Sequence, residues 1–217
     1  MRERIIDYIK QEKLIAIVRG IEADKCTRLA QALYDGGFRL IEITFNQSAP
    51  ESWETTAKAI AAVAESFQGR MEVGAGTVLT KEQVEIAADA GAKFIISPDA
   101  NPGVIKRSRE LGLVSIPGVL SPTEISSAWE AGADFVKIFP VTTLGVPYVK
   151  AVRAPLNHIP MLAVGGVNEK NLREFLDAGL CGAGIGGNLV NKNWIEAGEF
   201  DKITELAASL VQIAKGQ

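Results

Sequence analysis

From residue 14 onward, short apolar runs of strand length alternate with longer stretches in which apolar positions recur every three or four residues. The runs are LIAIVR (14–19), LIEITF (40–45), MEVGAG (71–76), FIIS (94–97), VSIPG (114–118), FVKIF (135–139), MLAVG (161–165) and GAGIG (182–186). They read as strands of a parallel sheet with both faces covered. The intervening stretches predict helices at 22–35, 50–67, 81–90, 101–111, 121–131, 147–155 and 168–178, with 198–214 after the last strand and 2–12 ahead of the first. Punctuation agrees with this division. Ser121-Pro122-Thr123-Glu124 is a helix start, with a capping serine, proline at the first position and glutamate at the third. Gly36-Gly37, Ala90-Gly91, Ala131-Gly132 and Ala178-Gly179 close helices ahead of strands. Eight βα units without a linker predict an α/β fold: one (β/α)8 TIM barrel over residues 1–217, with an extra N-terminal helix. An open doubly wound sheet is the alternative. It calls for a Gly-rich fingerprint after the first strand, which IVRGIEADK lacks.

One run breaks the apolar rule at its centre. In FVKIFP (135–140), Phe135, Lys137 and Phe139 share one strand face, and Val136 and Ile138 share the other. Burial disfavours the ammonium form, so Lys137 is pushed toward the neutral amine that attacks a carbonyl carbon. Pro140 ends the strand close to that amine, as expected where the chain opens into a site. A lysine that snorkels its charge to solvent is the plainer alternative.

In a parallel barrel the site lies at the C-terminal ends of the strands, which makes late, inward polar residues the ones to inspect. Arg19 ends strand one on the side of Ile15 and Ile17; Glu42 and Thr44 share a face of strand two; Thr77 follows Val73 and Ala75. Read as converging with Lys137, they suit a small keto acid: the amine forms an imine, the carboxylate moves protons, and cation and hydroxyl hold the substrate carboxylate. Each also has a structural reading, an ion pair for Glu42 and Arg19 and a helix cap for Thr77. Gly165-Gly166 after strand seven and Gly186-Gly187-Asn188 after strand eight let backbone amides approach an anion where barrels usually hold phosphate. The sole histidine, His158, falls between helix six and strand seven, at the opposite end of the barrel.

Composition narrows the partners. At 217 residues, 47% hydrophobic, the chain can bury one sizeable core. A net charge of -3 without a basic stripe argues against nucleic acid. No apolar run reaches the ~18 residues of a membrane span, and the start MRERIIDYIKQEK is charged rather than signal-like, so no membrane attachment and a cytoplasmic location are expected. Cys26 and Cys181 match no metal spacing or disulfide framework. Neither a metal nor a cofactor is expected.

The stretches GAGTVLT (74–80), FIISPDAN (94–101), IPGVLSPTE (116–124), FVKIFP (135–140), AVGGV (163–167) and GIGGN (184–188) together resemble the 2-keto-3-deoxy-6-phosphogluconate aldolase family, end to end. That family comprises class I pyruvate aldolases of one (β/α)8 domain. The resemblance implies Lys137 as Schiff-base nucleophile, Glu42 as general acid/base, Thr77 beside the pyruvyl carboxylate, and Gly165, Gly166, Gly186 and Gly187 as phosphate ligands. Pro98 and Phe139, within the shared motifs, are carried over as substrate contacts. A homotrimer is also implied. Two positions depart from the phosphogluconate pattern: Asn46 stands where an arginine is typical, four residues after the glutamate, and Asn188 stands where a serine is typical. IVRG with EITFN looks more like the phosphogalactonate branch, in which strand one supplies the arginine. The implied reaction is cleavage of 2-keto-3-deoxy-6-phosphogluconate to pyruvate and glyceraldehyde 3-phosphate, with the phosphogalactonate epimer or 4-hydroxy-2-oxoglutarate as alternative substrates. A phosphosugar epimerase or isomerase, or a metabolite-binding barrel, would share the glycines but would not need an imine-forming lysine.

Overall fold

The computed structural model describes residues 1–216. The strands are β1 (Leu14–Val18), β2 (Leu40–Thr44), β3 (Glu72–Gly76), β4 (Phe94–Ile96), β5 (Val114–Ile116), β6 (Gly118–Val119), β7 (Val136–Ile138), β8 (Met161–Val164) and β9 (Gly182–Ile185). Around them lie α1 (Arg2–Glu12), α2 (Ala23–Asp35), α3 (Trp53–Ser66), α4 (Lys81–Asp89), α5 (Pro102–Glu110), α6 (Pro122–Glu130), α7 (Val141–Arg153), α8 (Leu172–Asp177), α9 (Lys192–Ala197) and α10 (Phe200–Lys215). The strand pairings are all parallel, in the order β5-β4-β3-β2-β1-β9-β8-β7-β6.

The predicted fifth strand is split in two at Pro117, and that residue is also the seam of the barrel. Proline has no N–H to donate, so the ladder breaks there: β5 pairs with β4, and β6 pairs with β7. The Pro117 carbonyl accepts the Lys137 N–H at 2.8 Å, which joins the two edges at the strand that carries the lysine.

Alternation along the strands divides the core into two layers. Ile15, Leu40, Phe94, Ile116, Phe135 and Leu162 point into the barrel, where Ile5 and Ile9 of α1 pack against them. Ile41, Ile43, Val73, Ala75, Val136 and Ile138 point outward, beneath the helices. The first helix is therefore a plug across the N-terminal end of the barrel, held by ion pairs from Arg2 to Asp134 and from Arg4 to Glu72. That end is filled, which leaves the C-terminal end to hold a ligand.

Several element boundaries differ from the sequence expectation. Thr80 with Gln83, and Ser121 with Glu124, form complete capping boxes, so α4 and α6 begin where their signals predict. The stretch 50–67 opens instead as a 3-10 turn at Pro50–Ser52. The helix expected at 147–155 starts at Val141 and is broken at Gly145 (φ 75°), which a residue with a β-carbon would resist. Asn168 and Asn171 hold residues 168–171 in side-chain-bonded turns, so α8 starts at Leu172 rather than at residue 168. The predicted helix 198–214 is α10, which starts at Phe200, and the short helix α9, not expected from the sequence, precedes it and ends at Gly198 (φ 74°). His158 is exposed, with Trp129 edge-on against its ring, away from the open end of the barrel.

Candidate active site

At the C-terminal ends of β1, β2, β7, β8 and β9 lies a cavity of about 560 Å³. Parallel register brings two buried ionisable side chains there from opposite walls. Glu42 stands on β2, level with Ile17 of β1 and Gly74 of β3; Lys137 stands on β7, level with Gly118 and Leu162. Alternation then turns both side chains inward, above the apolar layer formed by Leu40 and Phe135.

Their surroundings push the two groups toward each other's range. Lys137 is 6% exposed, and burial lowers its amine below the usual ammonium value. Glu42 and Asp99 act in the opposite direction, and Arg19 adds to the lowering. Glu42 is 2% exposed, and burial raises its carboxyl to about 7, against the pull of Lys137 and Arg19. Its Oε2 is buried without a hydrogen-bond partner. Among the described residues no ion pair within 4.0 Å engages Glu42, Lys137 or Arg19. The Lys137 ammonium instead lies 4.8 Å from the centre of the Phe139 ring, whose face favours a cation and which is itself a cavity wall. A buried amine biased by burial toward its neutral, nucleophilic form and a buried carboxyl that can hold or release a proton near neutrality are what imine chemistry requires.

Glycines shape the space around them. Gly76 lies inward on β3, where a β-carbon would stand 2.9 Å from Glu42 Cδ and 2.8 Å from Thr44 Cγ2. At Gly184 on β9 a β-carbon would press on Ile17 and Val164, both at 3.1 Å. The glycine pairs form the far wall. Gly165 and Gly166 have φ of 97° and 80°, and their carbonyls are engaged: Thr142 Oγ1 donates to Gly165 O at 2.9 Å, and Asn171 Nδ2 donates to Gly166 O at 3.1 Å. Among the described residues the amides of Gly165, Gly166, Gly186 and Gly187 donate to no protein acceptor. A β-carbon on Gly187 would meet nothing within 4 Å, so this loop faces open space. Unpaired amides on two adjacent loops are the kind of group to which an anion binds.

A family model described as KDPG and KHG aldolase matches residues 5–206. The chain belongs to this aldolase family. It is 41% identical over 177 residues to 2-dehydro-3-deoxy-6-phosphogalactonate aldolase of Escherichia coli K12, covering 81% of this chain and 83% of that one. It is 34% identical over 210 residues to 2-dehydro-3-deoxy-phosphogluconate aldolase of Treponema pallidum, covering 96% and 97%. Among solved structures, a native KDPGal structure superposes with a TM-score of 0.84 at 36% identity, covering 94% of each chain. The Legionella pneumophila KDPG aldolase, with pyruvate captured as a covalent carbinolamine intermediate, gives 0.84 at 26% identity, covering 97% and 98%. The protein is thus a carbon–carbon lyase of the aldolase class.

Not every sequence-predicted residue of the aldolase meets at the lysine. Arg19, Glu42, Lys137, Phe139, both glycine pairs and Asn188 line the one cavity. Thr77 and Asn46 line a neighbouring hollow of about 510 Å³, and Arg19 borders both. Thr77 is not among the residues that line the Lys137 cavity itself: it has the strand parity of Val73 and Ala75, which point outward, while Gly74 and Gly76 point in. Thr77 itself is turned to φ 56°, and Gln47 Nε2 donates to its carbonyl. Asn46 is exposed, and its Oδ1 accepts from the Ser48 amide at 3.1 Å and hydroxyl at 3.0 Å. Pro98 lines neither space; its carbonyl is the backbone against which Gly118 packs.

Sequence reasoning missed the loop that follows β9. Asn191, Lys192 and Asn193 reach the same cavity as the lysine. The Asn-Lys-Asn run just past the second glycine pair was the available signal. Among the described residues no group of three or more His, Cys, Asp or Glu side chains is placed to hold a metal ion. Among the described residues no helix is long and apolar enough to cross a membrane.

Proposed function

We propose that the protein is a class I aldolase that cleaves 2-keto-3-deoxy-6-phosphogluconate to pyruvate and glyceraldehyde 3-phosphate through a Schiff base on Lys137. The observation that carries this reading is the pairing of a buried amine, lowered by burial, with a buried carboxyl near 7 in one cavity. The neutral amine attacks the C2 ketone. Glu42, protonated, gives its proton to the carbinolamine hydroxyl, which leaves as water, and the iminium forms. The Glu42 carboxylate, directly or through water, then takes the C4 hydroxyl proton. The C3–C4 bond breaks toward the iminium, the aldehyde leaves, and the enamine is protonated at C3 and hydrolysed to pyruvate. Arg19 holds the substrate carboxylate, with the Thr77 hydroxyl as a second donor from the adjoining hollow. The glycine amides, with Asn188 beside them, hold the phosphate.

The phosphogalactonate epimer is a second substrate reading. It is favoured by the 41% identity to the Escherichia coli enzyme and by Asn46, which leaves the charge at this mouth to Arg19. A homotrimer in the cytoplasm completes the proposal, on the family resemblance.

Borohydride in the presence of pyruvate tests the chemistry, because an iminium is reducible and a noncovalent complex is not. One reduced pyruvyl group on Lys137 is expected. Modification elsewhere, or none, would remove the class I assignment. Cleavage rates on the two C4 epimers then decide between the substrates.

A further inference from the structure

We propose that Lys192 is the cation that neutralises the substrate's phosphate and so selects for phosphorylated substrates, an inference that rests on the aldolase reading above. Only three cationic side chains are among the residues lining the cavity: Arg19, Lys137 and Lys192. Lys137 is buried beside Glu42 and is committed to the imine. Arg19 stands between this cavity and the neighbouring hollow. Lys192 is the first residue of α9, just past the loop that carries Gly186, Gly187 and Asn188, and it is exposed.

The need for such a charge follows from the glycine amides themselves. Backbone amides donate hydrogen bonds but carry no net charge, whereas a phosphate monoester brings roughly -1.5 to -2 at pH 7. That dianion must enter a cavity whose wall already contains Glu42, so a cation lining the same cavity offsets the repulsion. Lys192 is free to supply it. Its Nζ lies over Gly20, 3.0 Å from where a β-carbon would sit, and no carboxylate is within 4.0 Å of it among the described residues. Two glutamates share a small side hollow with it, Glu22 and Glu196. Glu22 is taken by Lys25 at 2.8 Å, and among the described residues Glu196 forms no ion pair. Gly20, at φ 62°, keeps that flank clear of any side chain.

The test uses inorganic phosphate as the probe, followed by 31P line broadening or calorimetry, so that it needs no turnover. Lys192→Ala is expected to weaken phosphate binding about tenfold, on the scale of one partly exposed charge, and Lys192→Arg to retain most of the affinity. With the phosphorylated keto acid, KM should rise by a similar factor while kcat changes less than about twofold. The rate of pyruvate trapping by borohydride reports the other end of the cavity and should not follow. Phosphate binding unchanged in Lys192→Ala would overturn the proposal. So would an equal loss in pyruvate trapping, which would place Lys192 at the carboxylate end. If the wild-type protein binds phosphate in a Lys192-dependent way and yet cleaves no keto-deoxy sugar acid, the substrate reading falls and the role of Lys192 stands.

Discussion

Gly76 leaves the space that the Glu42 carboxyl occupies: a β-carbon there would stand 3.0 Å from Glu42 Oε1 and 2.9 Å from Cδ. The relationship runs across adjacent strands, between inward positions two residues out of register, since Glu42 aligns with Gly74. Gly76→Ala should therefore displace the carboxyl rather than break the strand. We expect turnover to fall by about 10²-fold, the scale for a misplaced general acid/base, with a stability cost of roughly 1–3 kcal/mol for the overpacked methyl group. Unchanged turnover alongside a lowered melting temperature would mean that Glu42 is not the proton carrier.

Glu42→Gln separates the proton shuttle from the shape of the site, because glutamine is nearly isosteric. Turnover should drop by about 10²-fold or more, and imine trapping on Lys137 should slow but persist. Normal turnover in this variant would place the shuttle on another group.

The same variant has a pH signature in stability. With its carboxyl raised to about 7 in the folded chain from an ordinary 4.5, Glu42 keeps a proton that the unfolded chain has released. Its contribution to stability is full below about 4.5 and is lost as pH rises through about 7. Glu42→Gln removes that loss, so the variant should gain on the wild type between these limits, by up to roughly 3 kcal/mol. Lys137, pushed down by burial, works with the opposite sign, and comparison of the two proteins at each pH removes the part common to both. Urea midpoints at several pH values would show the trend, and parallel curves would refute it.

Thr142 ties the start of α7 to the glycine pair. Its hydroxyl donates to the Gly165 carbonyl at 2.9 Å, and its side chain fills the place where a β-carbon of Gly166 would lie. Thr142→Val should cost about 1 kcal/mol from the lost hydrogen bond and raise KM for a phosphorylated substrate, while Thr142→Ser should keep both near wild type. Equal KM values for phosphorylated and unphosphorylated substrates relative to wild type would show that the clasp has no bearing on phosphate.

The barrel was legible because its strands are apolar on both faces and its glycines mark the turns, and these patterns survive any detail of packing. Lys137 and Glu42 were legible for the converse reason: a charge in the middle of such a run has no cheap structural explanation. Thr77 was not legible. The inward positions of β3 are glycines, so the strand's apolar residues, Val73 and Ala75, mark its outer face, and alternation counted from them runs toward the helices. Asn46 belongs to a loop and Lys192 to the first position of the short helix α9, and their places depend on bonds such as Ser48 to Asn46 and the Asn191 cap to Asn193, which no periodicity encodes. The split at Pro117 depends on which neighbour each half-strand finds, and this is a property of barrel closure.

Arg19 is the group on which carboxylate binding should turn. Asn46 is neutral, exposed and bonded to Ser48, so it offers no charge to a keto acid entering beside Glu42. An anion brought near that carboxyl without a cation would be repelled, or would bind only as Glu42 took up a proton. Arg19 directly follows β1, which is adjacent to β2, and borders both hollows. A structural Arg19–Glu42 ion pair would be the competing role, but the two are not within 4.0 Å, and Arg19 is exposed. The guanidinium is thus free before substrate arrives. Arg19→Ala should leave the melting temperature nearly unchanged and weaken pyruvate binding by roughly 2 kcal/mol, the scale for a hydrogen bond to a charged group. Arg19→Lys should recover part of this, since a point charge lacks the two-pronged fork. A lowered melting temperature with an unaltered pyruvate dissociation constant would remove Arg19 from the site.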